Sequence, residues 1–147
     1  MSPGLSLKYL ADLPAARHGR VRRTQEPKQR GVRKVEVIRP ASPMVMVAWH
    51  IPAMVGRNKV LYLALGDLLW GGPSSRLYQR MVKQDKSASQ VDGFVGYPGR
   101  IDPTLFLMVG TPVPGVDSGV IVSLAQSEID RLALEGPTAR EMKGLRR

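Results

Sequence analysis

The sequence predicts an α+β fold, in which helices cover a mostly antiparallel sheet. Two regions carry the apolar runs and alternation that are typical of strands, and helix-spaced apolar positions lie between and after them. Clusters of proline and glycine separate these segments, as turn residues do. The predicted order is β-β-α-α-β-β-α, with a further helix begun near the C-terminus.

Two strands open the predicted fold. Arg33–Arg39 alternates apolar and charged residues, and Met44–Ile51 continues as a more apolar run after the break at 40–43. A helix is then predicted over Lys59–Trp70, where leucines recur at helical spacing until Gly71-Gly72-Pro73 stops them. A second helix should end near Gln84 to Lys86, with the hydroxyl of Ser74 or Ser75 as its cap.

The second half begins with a predicted hairpin. Its strands are Ser89–Tyr97 and Leu105–Thr111, separated by a loop rich in turn formers. The longest helix is predicted over Val116–Leu134 and should stop at Gly136. Thr138 and Glu141 have the spacing of a capping box, so another helix begins there and we expect the chain to stop before that helix is complete. The apolar faces around 61–69 and 120–132 are the surfaces that we expect to be buried.

Composition favours one folded unit with a basic N-terminal part. The chain has 147 residues, 43% of them hydrophobic, and no cysteine, so packing alone must stabilise it. Ten basic and three acidic residues lie between Lys8 and Arg39, a net of +7 out of the total charge of +10. We therefore expect residues 1–32 to be a basic linker with the remnant of a preceding element, and residues 33–147 to be the folded subdomain.

The sequence contains no apolar stretch of the ~20 residues that a membrane span needs. The N-terminus has no continuous apolar region of the kind found in secretory signals. A soluble, cytoplasmic protein is the default expectation.

No catalytic, cofactor or metal site is predicted within the chain. The only histidines are His18 and His50, so a paired-histidine zinc motif cannot be assembled. Ser74 and Ser75 have no histidine nearby in sequence to act as a base. The carboxylates within predicted helices are expected on the solvated faces of those helices, and none forms a specific acid–base pair. These residues are Asp67, Glu128, Asp130 and Glu135.

Several segments in order resemble the insulinase/pitrilysin family of zinc metallopeptidases. The most recognisable is GGPSSRLYQRMV at 71–82. It is accompanied by KYLADLPA, QEPKQRGVRKVEV, MVAWHIPA, YPGRIDPTLFLMVGTPVPGV and EIDRLALEGPTAREM, which together span nearly the whole chain. The resemblance is to the C-terminal subdomain of one half of such an enzyme, the subdomain that does not bind zinc.

This resemblance implies a role without catalysis. The family pairs α+β subdomains around a chamber for peptides, and it holds zinc by His-x-x-Glu-His and a later Glu on the preceding subdomain, all absent here. Some members use an Arg and a Tyr to bind substrate, but Lys83 and Ser89 align there and cannot reproduce those contacts. Arg76 is expected to pair with a carboxylate or a helix end, and Tyr78 to pack.

Three hypotheses follow. The first is a non-catalytic subdomain that packs on a zinc-binding subdomain, or on a homologous chain, and forms part of the peptide chamber. The second is a basic module that binds an acidic partner such as RNA, although the stretch lacks the interleaved aromatic residues of single-strand binders. The contacts would come from the basic side chains of the N-terminal part: Arg17, Arg20, Arg22, Arg23, Lys28, Arg30, Arg33 and Lys34. The third is that a neighbouring polypeptide supplies the metal site in trans.

Overall fold

The fold is a three-stranded antiparallel sheet with helices, as the α+β prediction requires. The computed structural model describes residues 27–145. The elements in chain order are strand β1 (Val45–Ile51), helix α1 (Arg57–Trp70), a π-helix (Tyr78–Gln84), strands β2 (Ala88–Tyr97) and β3 (Thr104–Pro112), and helices α2 (Ser118–Glu135) and α3 (Ala139–Gly144). The strand order is β1-β3-β2, so β3 is central and each of the other two is an edge strand.

The predicted strand Arg33–Arg39 is the main error in the predicted order. Residues 32–43 form neither helix nor strand, and β1 pairs only with β3 in the described part of the chain. Alternation gives a local preference, but a strand is stable only when its backbone groups have a ladder partner. The observed order is therefore β-α-π-β-β-α-α.

The second predicted helix is a π-helix. The Asp85 amide donates to the Arg80 carbonyl at 2.9 Å, a bond to the fifth preceding residue. The predicted serine cap is wrong for Ser75, because its hydroxyl donates to the Gly72 carbonyl at 2.7 Å instead of accepting from a helix amide. The remaining helix and strand predictions from Met44 onward are confirmed to within a few residues.

The ends of α2 and α3 are fixed by their caps. The Asp117 carboxylate accepts from the Gly119 amide at 2.7 Å, and Gly136 ends α2 with a φ of 74° that favours glycine. The predicted capping box is present: Glu141 donates its amide to the Thr138 hydroxyl at 3.2 Å, while its carboxylate accepts from the Thr138 amide at 2.7 Å.

The core lies between the helices and one face of the sheet. Its four largest fully buried side chains come from the segment of the π-helix, from β3 and from α2: Leu77, Met81, Met108 and Ile121. The Trp70 and Phe106 rings are 4.4 Å apart between centroids, which joins the end of α1 to β3.

The two helix faces that we expected to be buried are buried only in part. Leu68 and Leu69 of α1 lie in the core, but Leu61 is exposed. On α2 the buried positions are Ile121, Ala125, Glu128 and Leu132. The expectation that Glu128 lies on a solvated face is therefore wrong. Glu128 follows Ile121 by seven residues on the same buried stripe, and its carboxylate pairs with Arg131 at 2.7 Å.

The chain divides by compactness between Ile38 and Arg39. Residues 27–38 on the first side of that division are exposed. The predicted boundary at 32/33 stays a prediction, since most of the expected linker, including KYLADLPA and His18, lies outside the described residues.

Candidate functional site

The described helices leave the outer face of the sheet uncovered. Inward side chains of β3 are buried, and helix residues pack against that side, with Ile121 lying against Gly110 and Trp70 against Gly93. The opposite side chains form three cross-strand rows: Met46 with Val109 and Asp92, Ala48 with Leu107 and Phe94, and His50 with Leu105 and Tyr97. Seven of these nine side chains are apolar or aromatic, and all nine are exposed or half-buried. An exposed apolar face of this kind is a candidate interaction surface.

A bulge in β2 makes this outer face more apolar than strict alternation would. The register shifts between Val95 and Tyr97, where Gly96 has a φ of 86°. As a result Phe94 and Tyr97 lie three residues apart but point to the same face, with their ring centroids 6.5 Å apart. The shift places a second aromatic ring where a regular strand would turn it inward.

Among residues 27–145 the edge of β2 that faces away from β3 has no strand partner, and it borders an open groove of about 580 Å³ beside α1. Trp70, Phe94 and Tyr97 give the groove aromatic walls, while Asp67 and Asp92 add two carboxylates. Gly93 lets the Trp70 indole lie against the strand, because a Cβ at that position would come within 2.3 Å of the ring. A groove beside an unpaired strand edge can accept an extended peptide, whose backbone would add to the sheet.

Arg76 links the start of the second helical segment to the end of α2 and to α3. Its Nε donates to Glu141 at 2.7 Å, and one of its terminal nitrogens donates to the second Glu141 oxygen at 2.9 Å and to the Gly136 carbonyl at 3.0 Å. These hydrogen bonds lower the pKa of Glu141 to about 2 and raise the pKa of Arg76 above its ordinary value. The expected pairing of Arg76 with a carboxylate or a helix end is confirmed, since it contacts both.

The two residues aligned with the family's substrate-binding pair lie apart from this surface chemistry. Lys83 is exposed on the π-helix, with its ammonium 5.8 Å from the centre of the Tyr78 ring. Ser89 donates its hydroxyl to the Thr111 carbonyl at 3.2 Å at the start of β2. Neither contact gives them a catalytic geometry.

No three His, Asp or Glu side chains come together as metal ligands anywhere in 27–145. His50 lies in β1 opposite Leu105, as the sequence indicated. Within the same residues no helix has the length and apolarity needed to cross a membrane. A cytoplasmic location stays a prediction.

A family model described as the Peptidase M16 inactive domain matches residues 4–147. The chain belongs to this family. The resemblance to insulinase/pitrilysin-type peptidases is thereby confirmed, and the family model describes the domain as inactive. The match also extends into the N-terminal stretch that we expected to be a linker.

Two longer solved structures resemble this Peptidase M16 domain. It resembles a protease from Helicobacter pylori with a TM-score of 0.86 and 23% identity, over 97% of this chain and 35% of that one. It also resembles a protein described as a zinc protease from Bordetella pertussis Tohama I, with a TM-score of 0.58 and 28% identity over 75% of this chain and 60% of the other. The chain therefore spans about a third and three-fifths of these two structures. No curated protein matches it.

Sequence reasoning missed the outer face because it considered only the helix faces around 61–69 and 120–132 as packing surfaces. The signal was present in β3, where both alternating sets are largely apolar, as in a strand that is covered on both sides. The bulge at Gly96 had no comparable signal beyond the glycine itself.

Proposed function

We propose that this chain is a non-catalytic subdomain of a zinc metallopeptidase that packs on a zinc-binding subdomain and contributes to the chamber that holds the peptide. The observation that carries the proposal is the outer sheet face, which is apolar on all three strands and bare of described helices. Both faces of a mostly apolar central strand need cover, and the helices supply it on one side alone.

The partner in this proposal supplies the metal. The described residues do not fit a zinc site, since no cluster of three potential ligands exists among them. No hydrolytic step is therefore assigned to this chain, and zinc is expected only in the partner. The domain should not cleave peptides by itself.

The free edge of β2 is the proposed contribution to the peptide chamber. Its groove runs beside the strand and contains backbone, aromatic rings and two carboxylates. An extended substrate can use the backbone of such an edge regardless of its sequence, because main-chain hydrogen bonds provide the affinity and side-chain contacts only modulate it.

The test is cleavage of a quenched, unstructured peptide by the chain alone and by its mixture with a zinc-binding subdomain of a Peptidase M16 member. We expect chelator-sensitive cleavage in which the mixture exceeds the zinc-binding subdomain alone. Equal activity with and without this chain would contradict the supporting role, and zinc-dependent activity of the purified chain would contradict its non-catalytic role.

A matched pair of variants locates the contact. Phe94→Glu places a charge on the outer face, and Leu61→Glu places one on α1 at nearly the same exposure, 54% against 50%. The charge should weaken association by about tenfold or more at Phe94, where burial against the partner would desolvate it, and leave it unchanged at Leu61. Equal effects would show that the outer face is not the packing surface.

A further inference from the structure

The segment Val32–Ile38 combines three properties that have no role in the fold of the described residues. Four apolar side chains in this short stretch are almost bare, with exposed fractions of 98% for Val32, 86% for Val35, 70% for Val37 and 92% for Ile38. The order from Val35 to Val37 alternates β-branched and charged residues, which is typical of a strand. Yet the segment belongs to no sheet among the described residues.

Charge is the second property. Residues 27–39 contain five basic residues and one acidic residue, Glu36, all of them exposed. Within Val32–Ile38 the charged residues are Arg33, Lys34 and Glu36, and the other basic residues flank the segment. Opposite charges stabilise directly opposed positions and like charges destabilise them, so a paired strand fits best where acidic residues face Arg33 and Lys34.

The third property is the absence of aromatic residues. Residues 27–39 contain no Phe, Tyr or Trp, so the segment has no ring on which a base could stack. Phosphate contacts would employ its arginines and lysines but would leave the four apolar side chains in water. Pairing with a strand uses the charges and the apolar alternation together.

We infer that Val32–Ile38 becomes a β-strand when it binds a partner. It adds to the edge of the partner's β-sheet by pairing with an edge strand in which acidic and apolar residues alternate. This inference rests on the proposed function in one respect, since in the assembled peptidase the partner would be the zinc-binding subdomain. The segment then connects two sheets: it adds to the partner's sheet while the strands from β1 onward form this one.

Proline substitution tests strand pairing specifically. In an added strand the amide groups of alternate residues point toward the partner, and proline removes one such donor. Val35→Pro and Val37→Pro share one direction, and Glu36→Pro has the other. Binding of the full-length chain to the zinc-binding subdomain should fall by about tenfold or more for one of these two sets and by much less for the other.

Two further probes make the outcomes distinct. A labelled octapeptide of alternating Val and Glu should bind the chain and show the same dependence on the position of the proline, whereas a scrambled Gly-rich acidic peptide of equal charge should bind at least about tenfold more weakly. A single-stranded RNA oligonucleotide is the competing ligand; its binding would fall with salt and with charge removal at Arg33 and Lys34, and would ignore the prolines.

The results separate this inference from the proposed function. Loss of partner binding in Phe94→Glu together with full binding in all three proline variants would uphold the packing face and overturn the strand. Dependence on proline position in the octapeptide assay would support the strand even if the zinc-binding subdomain did not bind. Binding to the RNA alone, or to neither probe, would overturn it.

Discussion

The two faces of the sheet are made by the same three strands, but the described helices cover only the inner face. On the inner face Met108 has no exposed surface and the Trp70 indole fills the space that Gly93 leaves free. On the outer face the neighbouring Leu107 is half-buried, between the exposed residues Ala48 and Phe94. Residues of nearly equal hydrophobicity therefore have different roles, according to which side of β3 they occupy.

The inner face is packed within the described part of the domain, whereas the apolar side chains of the outer face stay partly exposed. Fully buried side chains stabilise the isolated domain, because removing them leaves cavities. Half-exposed apolar side chains contribute less to that stability and more to association, since most of their surface change occurs when a partner covers it. The two faces should respond to mutation in different assays.

The largest expected effect comes from Met108→Ala. Truncating this fully buried side chain should lower the free energy of unfolding by about 2–5 kcal/mol, as measured by urea denaturation. Leu107→Ala, the adjacent residue on the other face, should cost about 1 kcal/mol or less in the isolated chain. Equal losses at the two positions would mean that the outer face is already covered within the domain.

Sequence reasoning recovered the parts of the fold that local chemistry determines. The helix α1 stops at its double glycine, the hairpin β2–β3 forms at its turn-rich loop, and α3 begins at the Thr138–Glu141 capping box. Each of these signals depends on residues close together in the chain, so it can be recognised without tertiary structure.

The missed features depend on partners distant in the chain. The segment 33–39 has the pattern of a strand but no ladder partner within the described residues, and pattern alone cannot show this. Glu128 is buried because of the direction in which α2 packs, which charge alone did not predict. The candidate surface was missed for the same reason, since its rows exist only through the register of three strands.

The helices are joined by a partly buried ion pair between Arg76 and Glu141. The contribution of this ion pair to stability can be measured separately from that of the sheet. Arg76→Met removes the two-pronged pairing with Glu141 and the bond to the Gly136 carbonyl. Because the Arg76 side chain is only 6% exposed, we expect the free energy of unfolding to fall by about 2–3 kcal/mol. Arg76→Lys should recover only part of this loss, since an ammonium cannot form both prongs.

Arg80→Met is the matched control for the Arg76–Glu141 ion pair. Arg80 follows Arg76 by one helical turn and pairs with Asp85 at 2.9 Å, but its side chain is 42% exposed. A partly solvated pair of this kind contributes about 0–1 kcal/mol. If Arg80→Met were as destabilising as Arg76→Met, general loss of charge would explain both results. Neither variant should weaken association more than its effect on folding requires, because both side chains lie off the outer face.

A smaller effect than that of Arg76→Met concerns pH and tests the Glu141 carboxylate of this ion pair. Hydrogen bonds from Arg76 hold the pKa of Glu141 at about 2 in the folded chain, below the ordinary value of 4.5. A depressed folded pKa means that the unfolded chain takes up the proton first as the pH falls. The stability due to this group is therefore fully present above pH 4.5 and is lost as the pH falls toward 2. Glu141→Gln should destabilise the chain by about 1–2 kcal/mol at pH 6 and by less at pH 2.5.

The comparison between variants removes the contribution of the other carboxyl groups, which titrate in both chains. Thr138→Ala offers a control at the same helix start, because it deletes the capping hydroxyl at a cost of about 1 kcal/mol without removing a titrating group. Because Arg76 lowers the pKa of Glu141 more than the Thr138 hydroxyl does, the cost of Thr138→Ala should change less between pH 6 and 2.5 than that of Glu141→Gln. A constant cost for both would show that Glu141 acts by shape and capping alone, and the helical layer would then be held by packing, as the inner face of the sheet is.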